Sequence, residues 1–242
     1  MLPAQPNQSL IDGLTVIQAL AMRDAPVGCR ELARETGIEL TKVNRLLKTL
    51  AHIGLARQNP GRKYITGPGI HVLASQALHG SGLLKTAFDP LEKLSQLNLI
   101  VALGVLWRDQ VSYLYFRTPG TSAAQAIGSL GLFPASQSSI GMVTLAGMEM
   151  EEVKSLYAGK VIPGYENSQA LFFKEVQKTR EQGYGLVYRD DTKETSMAVA
   201  VGMPLVGAIA LSGRMKNNEQ NTYLKILKNI AKEITERLEK NL

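Results

Sequence analysis

The sequence is poor in the residues that build disulfides, thiolate sites and membrane spans. It has one cysteine, Cys29, three histidines and one tryptophan. A lone cysteine can form neither an internal disulfide nor a thiolate zinc site, which favours a reducing, cytoplasmic compartment. Because no apolar run approaches the roughly 18 residues that cross a bilayer, we expect no membrane partner. The first eight residues have no basic or apolar leader segment, so we expect no secretory signal.

Common catalytic and metal-binding motifs are missing as well. The chain contains no GxSxG elbow, HExxH pair, Walker A loop or Rossmann glycine pattern. His71 and His79 have no cysteine or acidic partner at a metal-ligand spacing. We therefore expect no metal, no cofactor and no enzymatic activity.

The composition and charge of the 242 residues indicate a folded chain with a basic first quarter. Hydrophobic residues make up 45% and charged residues 20%, which is typical of globular proteins with one large or two smaller domains. Residues 1–67 carry nine basic and five acidic side chains, a net charge of +4. Residues 68–242 carry eighteen and sixteen, a net charge of +2. This asymmetry favours a polyanion as the partner of the N-terminal part.

Residues 1–67 have the pattern of a winged helix-turn-helix. Helical periodicity predicts a first helix capped by Ser9 with Asp12 three residues later, a second over residues 30–36 and a third from Ile38 to Ile53. Two short strands around residues 59–61 then predict a hairpin. Gly67-Pro68-Gly69 marks the end of this domain.

The polar face of the third helix and the hairpin offer groups that suit duplex DNA. A helix can enter the major groove, where Asn reads adenine and Arg reads guanine, while hairpin cations meet phosphates or a minor groove. The alternative is that this face is the ordinary solvated side of an amphipathic helix. The three cations of the hairpin that follows favour DNA binding over this alternative. The expected DNA contacts are Thr41, Lys42, Asn44, Arg45, Lys48, Arg57, Arg62 and Lys63.

The rest of the chain predicts a helical linker followed by an α+β domain. Residues 68–82 form the linker, with a short helix over residues 70–78, and residues 83–242 form the second domain. Its predicted strands cover residues 99–107, 111–117, 184–188, 197–203 and 206–212, and they favour an antiparallel sheet. The predicted helices follow Leu83 and cover residues 140–145, 149–157, 171–182 and 221–238.

Several segments together resemble the IclR-type transcriptional regulators. In the first domain these are RELARETGI (residues 30–38), VNRLLKTL (residues 43–50), Gly54-Leu55 and Tyr64. In the second they are LFP (residues 132–134), Gly141 with Leu145-Ala146, REQGY (residues 180–184), AVAV (residues 198–201) and GAIALSG (residues 207–213). The resemblance implies a winged helix-turn-helix, a helical linker and a GAF-like domain that binds a small-molecule effector. It also implies homodimers or homotetramers on a palindromic operator in double-stranded DNA.

Carried over by position, the resemblance also implies an effector site. Its residues would be Leu130, Leu132, Ser138, Ser139, Ile140, Asp190, Asp191 and Met197. The serines before Ile140 could instead only cap a helix, and the two aspartates could lie in a solvated turn. Serine hydroxyls with an acidic pair weakly favour a sugar acid or a polyol. Met142 replaces the usual Lys of the family and Glu194 stands where Gly is common, so an effector cannot be transferred from a relative.

Two functions of different classes fit these observations. The first is a sequence-specific DNA-binding regulator controlled by a small metabolite. The alternative is a small-molecule enzyme in which the winged helix is an interaction module. Operator binding that changes with a metabolite, without consuming it, would distinguish the regulator from the enzyme.

Overall fold

The computed structural model describes residues 5–128 and 131–240 as two compact units, one ending at Gly80 and the other beginning at Ser81. The elements of the first unit are α1 (Gln8–Ala21), α2 (Cys29–Thr36), α3 (Leu40–His52), β1 (Ala56–Gln58), β2 (Tyr64–Thr66) and α4 (Gly69–Ser81), whose last residue opens the second unit. Across the described ranges, no helix is both long and apolar enough to span a bilayer.

The first unit is a winged helix-turn-helix, as predicted. The inner sides of α1, α2 and α3 meet in one core, in which Val16, Leu32 and Leu47 are fully buried. Strands β1 and β2 are antiparallel, with Ala56 opposite Thr66. The peptide groups of Val27 and Tyr64 exchange two hydrogen bonds, 2.7 and 3.0 Å long, which attach the wing to the segment between α1 and α2.

The start of α1 differs from the prediction. Asn7, not Ser9, is the N-cap, and its side-chain oxygen accepts a hydrogen bond from the Leu10 amide at 3.1 Å. Asp12 takes no part in a capping box, because its carboxylate pairs with Lys42 of α3 and accepts a 2.7 Å hydrogen bond from Gln8. The sequence pattern assigned the Asp12 carboxylate to the helix cap, but in the structure it pairs with Lys42 of another helix instead.

The predicted linker helix is longer than expected. Helix α4 continues through Gly80, and Gly82 then adopts a left-handed conformation, with φ of 63°, before the next helix begins. The glycine-rich segment therefore ends the helix at Ser81, three residues later than the predicted end at residue 78.

The second unit is an α+β domain around a six-stranded antiparallel sheet. Its helices are α5 (Leu83–Leu94), α6 (Ala123–Ala126), α7 (Ser139–Ala146), α8 (Met150–Tyr157), α9 (Gln169–Gln182) and α10 (Asn217–Glu239). Its strands are β3 (Ile100–Trp107), β4 (Gln110–Arg117), β5 (Leu132–Pro134), β6 (Gly185–Arg189), β7 (Glu194–Val201) and β8 (Gly207–Gly213). The strand order is β5-β4-β3-β8-β7-β6.

Each face of this sheet has its own core, because successive side chains of a strand point to opposite faces. On one face, Leu103, Met197 and Leu211 pack with residues of α5 and α10. On the other face, Ala102 and Ala210 pack with residues of α7, α8 and α9. Every residue of α7 is buried, so this helix is the inner wall of the domain.

Candidate nucleic-acid interface and ligand pocket

The outer face of α3 presents a continuous polar stripe. Thr41, Asn44, Arg45 and Lys48 are all exposed, whereas Val43 and Leu47 point into the core. Glu39 caps the start of this helix, and its two carboxylate oxygens accept hydrogen bonds from the Thr41 amide at 2.8 Å and the Lys42 amide at 3.0 Å. These bonds lower the pKa of Glu39, so this cap stays charged.

Lys42 does not belong to the exposed stripe. Its ammonium group pairs with the carboxylate of Asp12, and its side chain is only 29% exposed. Asp12 is 8% exposed, so this pair lies at the edge of the core between α1 and α3. The expectation that Lys42 contacts DNA is therefore not supported, because its charge is already neutralised inside the unit.

The wing presents three cationic side chains. Arg57 lies on β1, and Arg62 and Lys63 follow the turn at its tip; all three are exposed. The turn is held by Asn59, whose side-chain oxygen accepts a 2.9 Å hydrogen bond from the Lys63 amide. Arg62 adopts a left-handed conformation, with φ of 58°, which the turn imposes.

Most acidic groups of the first unit are engaged within the unit. Asp12 pairs with Lys42, Glu31 and Glu35 pair with Arg23, and Glu39 caps α3. Within the described chain, seven of the nine cations of residues 1–67 take part in no salt bridge: Arg30, Arg34, Arg45, Lys48, Arg57, Arg62 and Lys63. The unit thus keeps free cations for a polyanion.

The second unit contains a pocket between the start of α7 and the face of the sheet. Its apolar lining consists of Ile100, Ala102, Phe116, Ile140, Val187 and Ala210, and its polar lining of Tyr113, Gln137, Ser138, Ser139, Arg189, Glu194, Ser196 and Ser212. The cavity volume is about 80 Å³. Since a cavity needs roughly 10–15 Å³ to hold one water, this pocket has room for a small molecule.

Ser138 has two roles at the inner end of the pocket. Its hydroxyl caps α7 by accepting a hydrogen bond from the Gly141 amide at 3.3 Å, and it shares a 3.2 Å hydrogen bond with the Tyr113 hydroxyl. Burial raises the pKa of Tyr113. The phenol is therefore neutral and can both donate and accept a hydrogen bond.

A chain of three hydroxyl groups crosses the floor of the pocket. The Oγ atoms of Ser139 and Ser196 are 2.7 Å apart, and those of Ser196 and Ser212 are 2.6 Å apart. Ser196 and Ser212 are paired neighbours on β7 and β8, so the strand register fixes this arrangement. Such a chain can reorient its protons to donate to a ligand or to accept from it.

Two groups of opposite charge lie at the pocket's other side. Arg189 and Glu194 are paired neighbours on β6 and β7, and both line the pocket. The Arg189 guanidinium lies 5.4 Å from the ring centroid of Phe133, a cation–π contact. Glu194 accepts a 3.0 Å hydrogen bond from the Thr192 hydroxyl. The pocket thus offers one cation for an anionic group and one acceptor for hydroxyls.

The structure brings together only part of the expected effector site. Ser138, Ser139 and Ile140 line the pocket, whereas Leu132 lies outside its lining, on β5 opposite Ser112. Asp190 and Asp191 are exposed in the turn between β6 and β7, as the solvated alternative proposed, and they do not line the pocket. Leu130 lies outside the described residues.

The expectation that Met197 contacts a ligand is wrong for this pocket. Met197 is 2% exposed and belongs to the core on the opposite face of the sheet. Its neighbour Ser196 occupies the pocket face instead, because side chains alternate along β7. An alternation analysis of residues 194–200 separates Glu194, Ser196 and Ala198 from Met197 and would have found Ser196. The partner residues Tyr113, Arg189 and Ser212 carried no such local signal.

Comparisons with known proteins agree with both units. Residues 9–60 match the family model of the IclR helix-turn-helix domain, and residues 75–236 match that of the bacterial transcriptional regulator IclR C-terminal domain. The chain is 29% identical over 190 residues to the Pca regulon regulatory protein of Pseudomonas putida, covering 74% of this chain and 63% of that protein. It is 26% identical over 185 residues to the acetate operon repressor of Salmonella typhimurium, covering 73% and 68%.

Solved structures show the same fold. An IclR family transcriptional regulator from Brucella abortus superposes with a TM-score of 0.76 at 22% identity, over 95% of this chain and 92% of that one. An IclR homolog from Microbacterium hydrocarbonoxydans, complexed with 4-hydroxybenzoate, has a TM-score of 0.68 at 18% identity, over 96% and 99%. With family models matched across both units, this chain belongs to the IclR family of bacterial transcriptional regulators.

Proposed function

We propose that this chain represses or activates transcription by placing α3 in the major groove of an operator, with the wing on the flanking backbone. The observation that carries the proposal is the exposed stripe of Asn44, Arg45 and Lys48, followed by the three free wing cations. Asn and Arg can each make bidentate contacts to a base, worth about 1–3 kcal/mol of discrimination. The unpaired cations supply the phosphate attraction that positions the helix.

Two copies of the chain would bind a palindromic operator, as homodimers or as homotetramers. One helix reads only a few base pairs, so a second copy doubles the site. Two recognition helices must then meet half-sites about 34–36 Å apart, or a multiple of that distance. A ligand in the second unit would change operator affinity by favouring an arrangement of the copies in which this spacing is matched or mismatched.

The lining of the pocket supports a small hydroxylated carboxylic acid as the effector. The Arg189 guanidinium suits a carboxylate, while Ser196, Ser212 and Glu194 suit hydroxyl groups. Sugar acids carry both groups, and polyols carry only the hydroxyls. The ligand of the Microbacterium relative, 4-hydroxybenzoate, also carries a carboxylate and a hydroxyl, so an aromatic acid is the matched comparison.

The DNA part of the proposal is tested with a duplex that the full-length protein selects from a random pool. Arg45→Ala should relax the preference at one base step, because Arg45 reads a base edge. Lys63→Ala should weaken binding equally to the selected and the scrambled duplex, because Lys63 meets a phosphate. If both variants bind like the parent, the assigned docking face is wrong.

The ligand part is tested by thermal shift and operator retardation with gluconate, galacturonate, glycerol and 4-hydroxybenzoate. A true effector should raise Tm and change the retarded complex without being consumed. Arg189→Ala should abolish the Tm shift of the acids, while Asp191→Asn, in the exposed turn after β6 and outside the pocket lining, should preserve it. Turnover of the ligand would instead support an enzyme. Loss of the Tm shift in Asp191→Asn would show that the ligand site is assigned to the wrong residues.

A further inference from the structure

Helix α2 separates its charges onto two flanks. Glu31 and Glu35 face Arg23, whose guanidinium donates to the Glu31 carboxylate at 2.8 Å and also pairs with Glu35. Arg30 and Arg34 are also four residues apart, one position before each acid, so they form a neighbouring flank. Both arginines are exposed, and neither forms a salt bridge within the described chain.

The two arginines border a shallow groove beside the start of α3. The groove is lined by Arg30, Ala33, Arg34 and Leu40. Leu40, the first residue of α3, is 41% exposed, and Ala33 is half-buried. The groove therefore combines two free guanidinium groups with a small apolar floor.

This groove adjoins the polar stripe of α3. Leu40 directly precedes Thr41, the first exposed residue of that stripe. The thiol of Cys29, which precedes Arg30, lies 3.9 Å from the side-chain oxygen of Asn44. The start of α2 and the DNA-facing side of α3 are thus neighbours.

We infer that this groove binds the sugar-phosphate backbone that borders the major groove occupied by α3. The phosphates would pair with Arg30 and Arg34, and a deoxyribose would lie over Leu40. Charge complementarity carries the assignment, because two unpaired guanidinium groups bind phosphate oxygens well and the acids of α2 are held away by Arg23. The inference rests on the proposed docking of α3 and adds a phosphate clamp to it.

The clamp makes a quantitative prediction for operator binding. A residue that neutralises one phosphate releases condensed counterions, so its removal lowers the slope of log affinity against log salt by about 1. Arg30→Ala and Arg34→Ala should each do so, and the double variant should lower the slope by about 2. Affinity should fall by the same factor for the selected and the scrambled duplex, because phosphates carry no sequence information. Arg30→Lys should keep the slope.

The experiment uses fluorescence anisotropy of the full-length protein on the selected duplex, with salt varied from 50 to 300 mM. Lys174→Ala is the control, because it removes one exposed cation of the second unit that forms no salt bridge among the described residues and leaves the acids of α2 paired with Arg23. It should bind with the parental slope. Circular dichroism checks that each variant keeps its helical content.

The outcomes separate this inference from the docking of α3. Parental slopes for Arg30→Ala and Arg34→Ala, together with altered base preference in Arg45→Ala, would overturn the clamp and keep the docking. Parental binding by all three variants would overturn both. A change of preference at one base step in Arg30→Ala would also overturn the clamp, because it would make Arg30 a base reader.

Discussion

The hydroxyl oxygen of Ser139 lies 2.7 Å from that of Ser196, and this contact joins the first turn of α7 to strand β7. Ser196 in turn shares a hydrogen bond with Ser212 on the adjacent strand. A buried helix start and two strands therefore hold the polar floor of the pocket. Because these groups are already oriented, a ligand meets hydroxyls that need little reorganisation.

Replacing Ser196 by alanine should weaken ligand binding but leave the fold intact. The variant loses one hydrogen-bonding group of the pocket, and a neutral hydrogen bond contributes about 1 kcal/mol, close to fivefold in Kd. Isothermal titration with whichever acid the thermal-shift screen selects measures this change. Ser155→Ala, which removes an exposed hydroxyl on α8 outside the pocket lining, is the control. An unchanged Kd for Ser196→Ala would show that the ligand does not reach this floor.

Replacing the adjacent Met197 should lower the stability of the second unit, because this side chain lies in the core and does not line the pocket. Met197→Ala removes a side chain that is 2% exposed from the core against α5 and α10, which costs about 2–5 kcal/mol. Met197→Leu conserves the volume and should cost less than about 1.5 kcal/mol. Urea unfolding followed by the fluorescence of Trp107, the single tryptophan, reports on the second unit. Equal stability of both variants would contradict the core assignment.

These two neighbours show what the sequence can and cannot predict about the pocket. The sequence predicts a strand over residues 197–203, which overlaps β7, and it predicts the helix after Ser138, the wing and the longer helices. It does not predict the start of β7 at Glu194 or the short helix α6. Which side chains of β7 face the ligand depends on the face of the sheet that α7 covers. That choice is made by packing between distant segments, and a match by family position placed the site one residue away.

Lys42 and Lys48 should behave differently when each is replaced by methionine. Lys42→Met should lower the free energy of unfolding, because Asp12 loses its partner while 8% exposed. Its operator binding should keep the parental salt slope. Lys48→Met should keep the stability and lower the salt slope by about 1. Urea unfolding and anisotropy titrations measure both quantities, and a reduced slope in Lys42→Met would place that lysine on DNA after all.

The position of Lys42 also shows what helical periodicity cannot predict from the sequence. The stripe at positions 41, 44, 45 and 48 is local and therefore predictable. The pairing of Lys42 with Asp12 joins residues of two helices, and no spacing in the sequence signals it. The same contact removed Asp12 from the predicted capping box of α1.

The Asp12–Lys42 pair should make stability depend on pH in the acidic range. The hydrogen bonds from Lys42 and Gln8 lower the pKa of Asp12, so the folded chain binds this proton less readily than the unfolded chain. The stabilisation is therefore complete above the unfolded pKa of about 3.9 and is lost as the pH falls through the lower folded pKa. The stability gap between the parent and Asp12→Asn should narrow as the pH falls from 7 towards 3. A constant gap would contradict the pair.

Two glycines should respond to alanine with opposite signs. A Cβ atom on Gly185 would lie 2.2 Å from the carbonyl oxygen of Ser139, so β6 and the start of α7 would have to separate. Gly185→Ala should cost about 1–3 kcal/mol of stability and weaken the binding of any ligand that contacts Ser139. Gly80 lies inside α4 with no neighbouring atom within 4 Å of its Cβ position. Gly80→Ala should therefore stabilise the helix by about 0.5–1 kcal/mol.

Trp107 fluorescence in urea reports the effect of Gly185→Ala, because both residues lie in the second unit. The change in Gly80→Ala is followed by circular dichroism, because α4 is helical and far from the tryptophan in sequence. Ligand titration distinguishes a loss of stability from a distortion of the pocket in Gly185→Ala. A loss of stability alone would leave the affinity of the folded protein unchanged. A stable Gly185→Ala variant with parental affinity would mean that the close approach of β6 to Ser139 does not form the pocket.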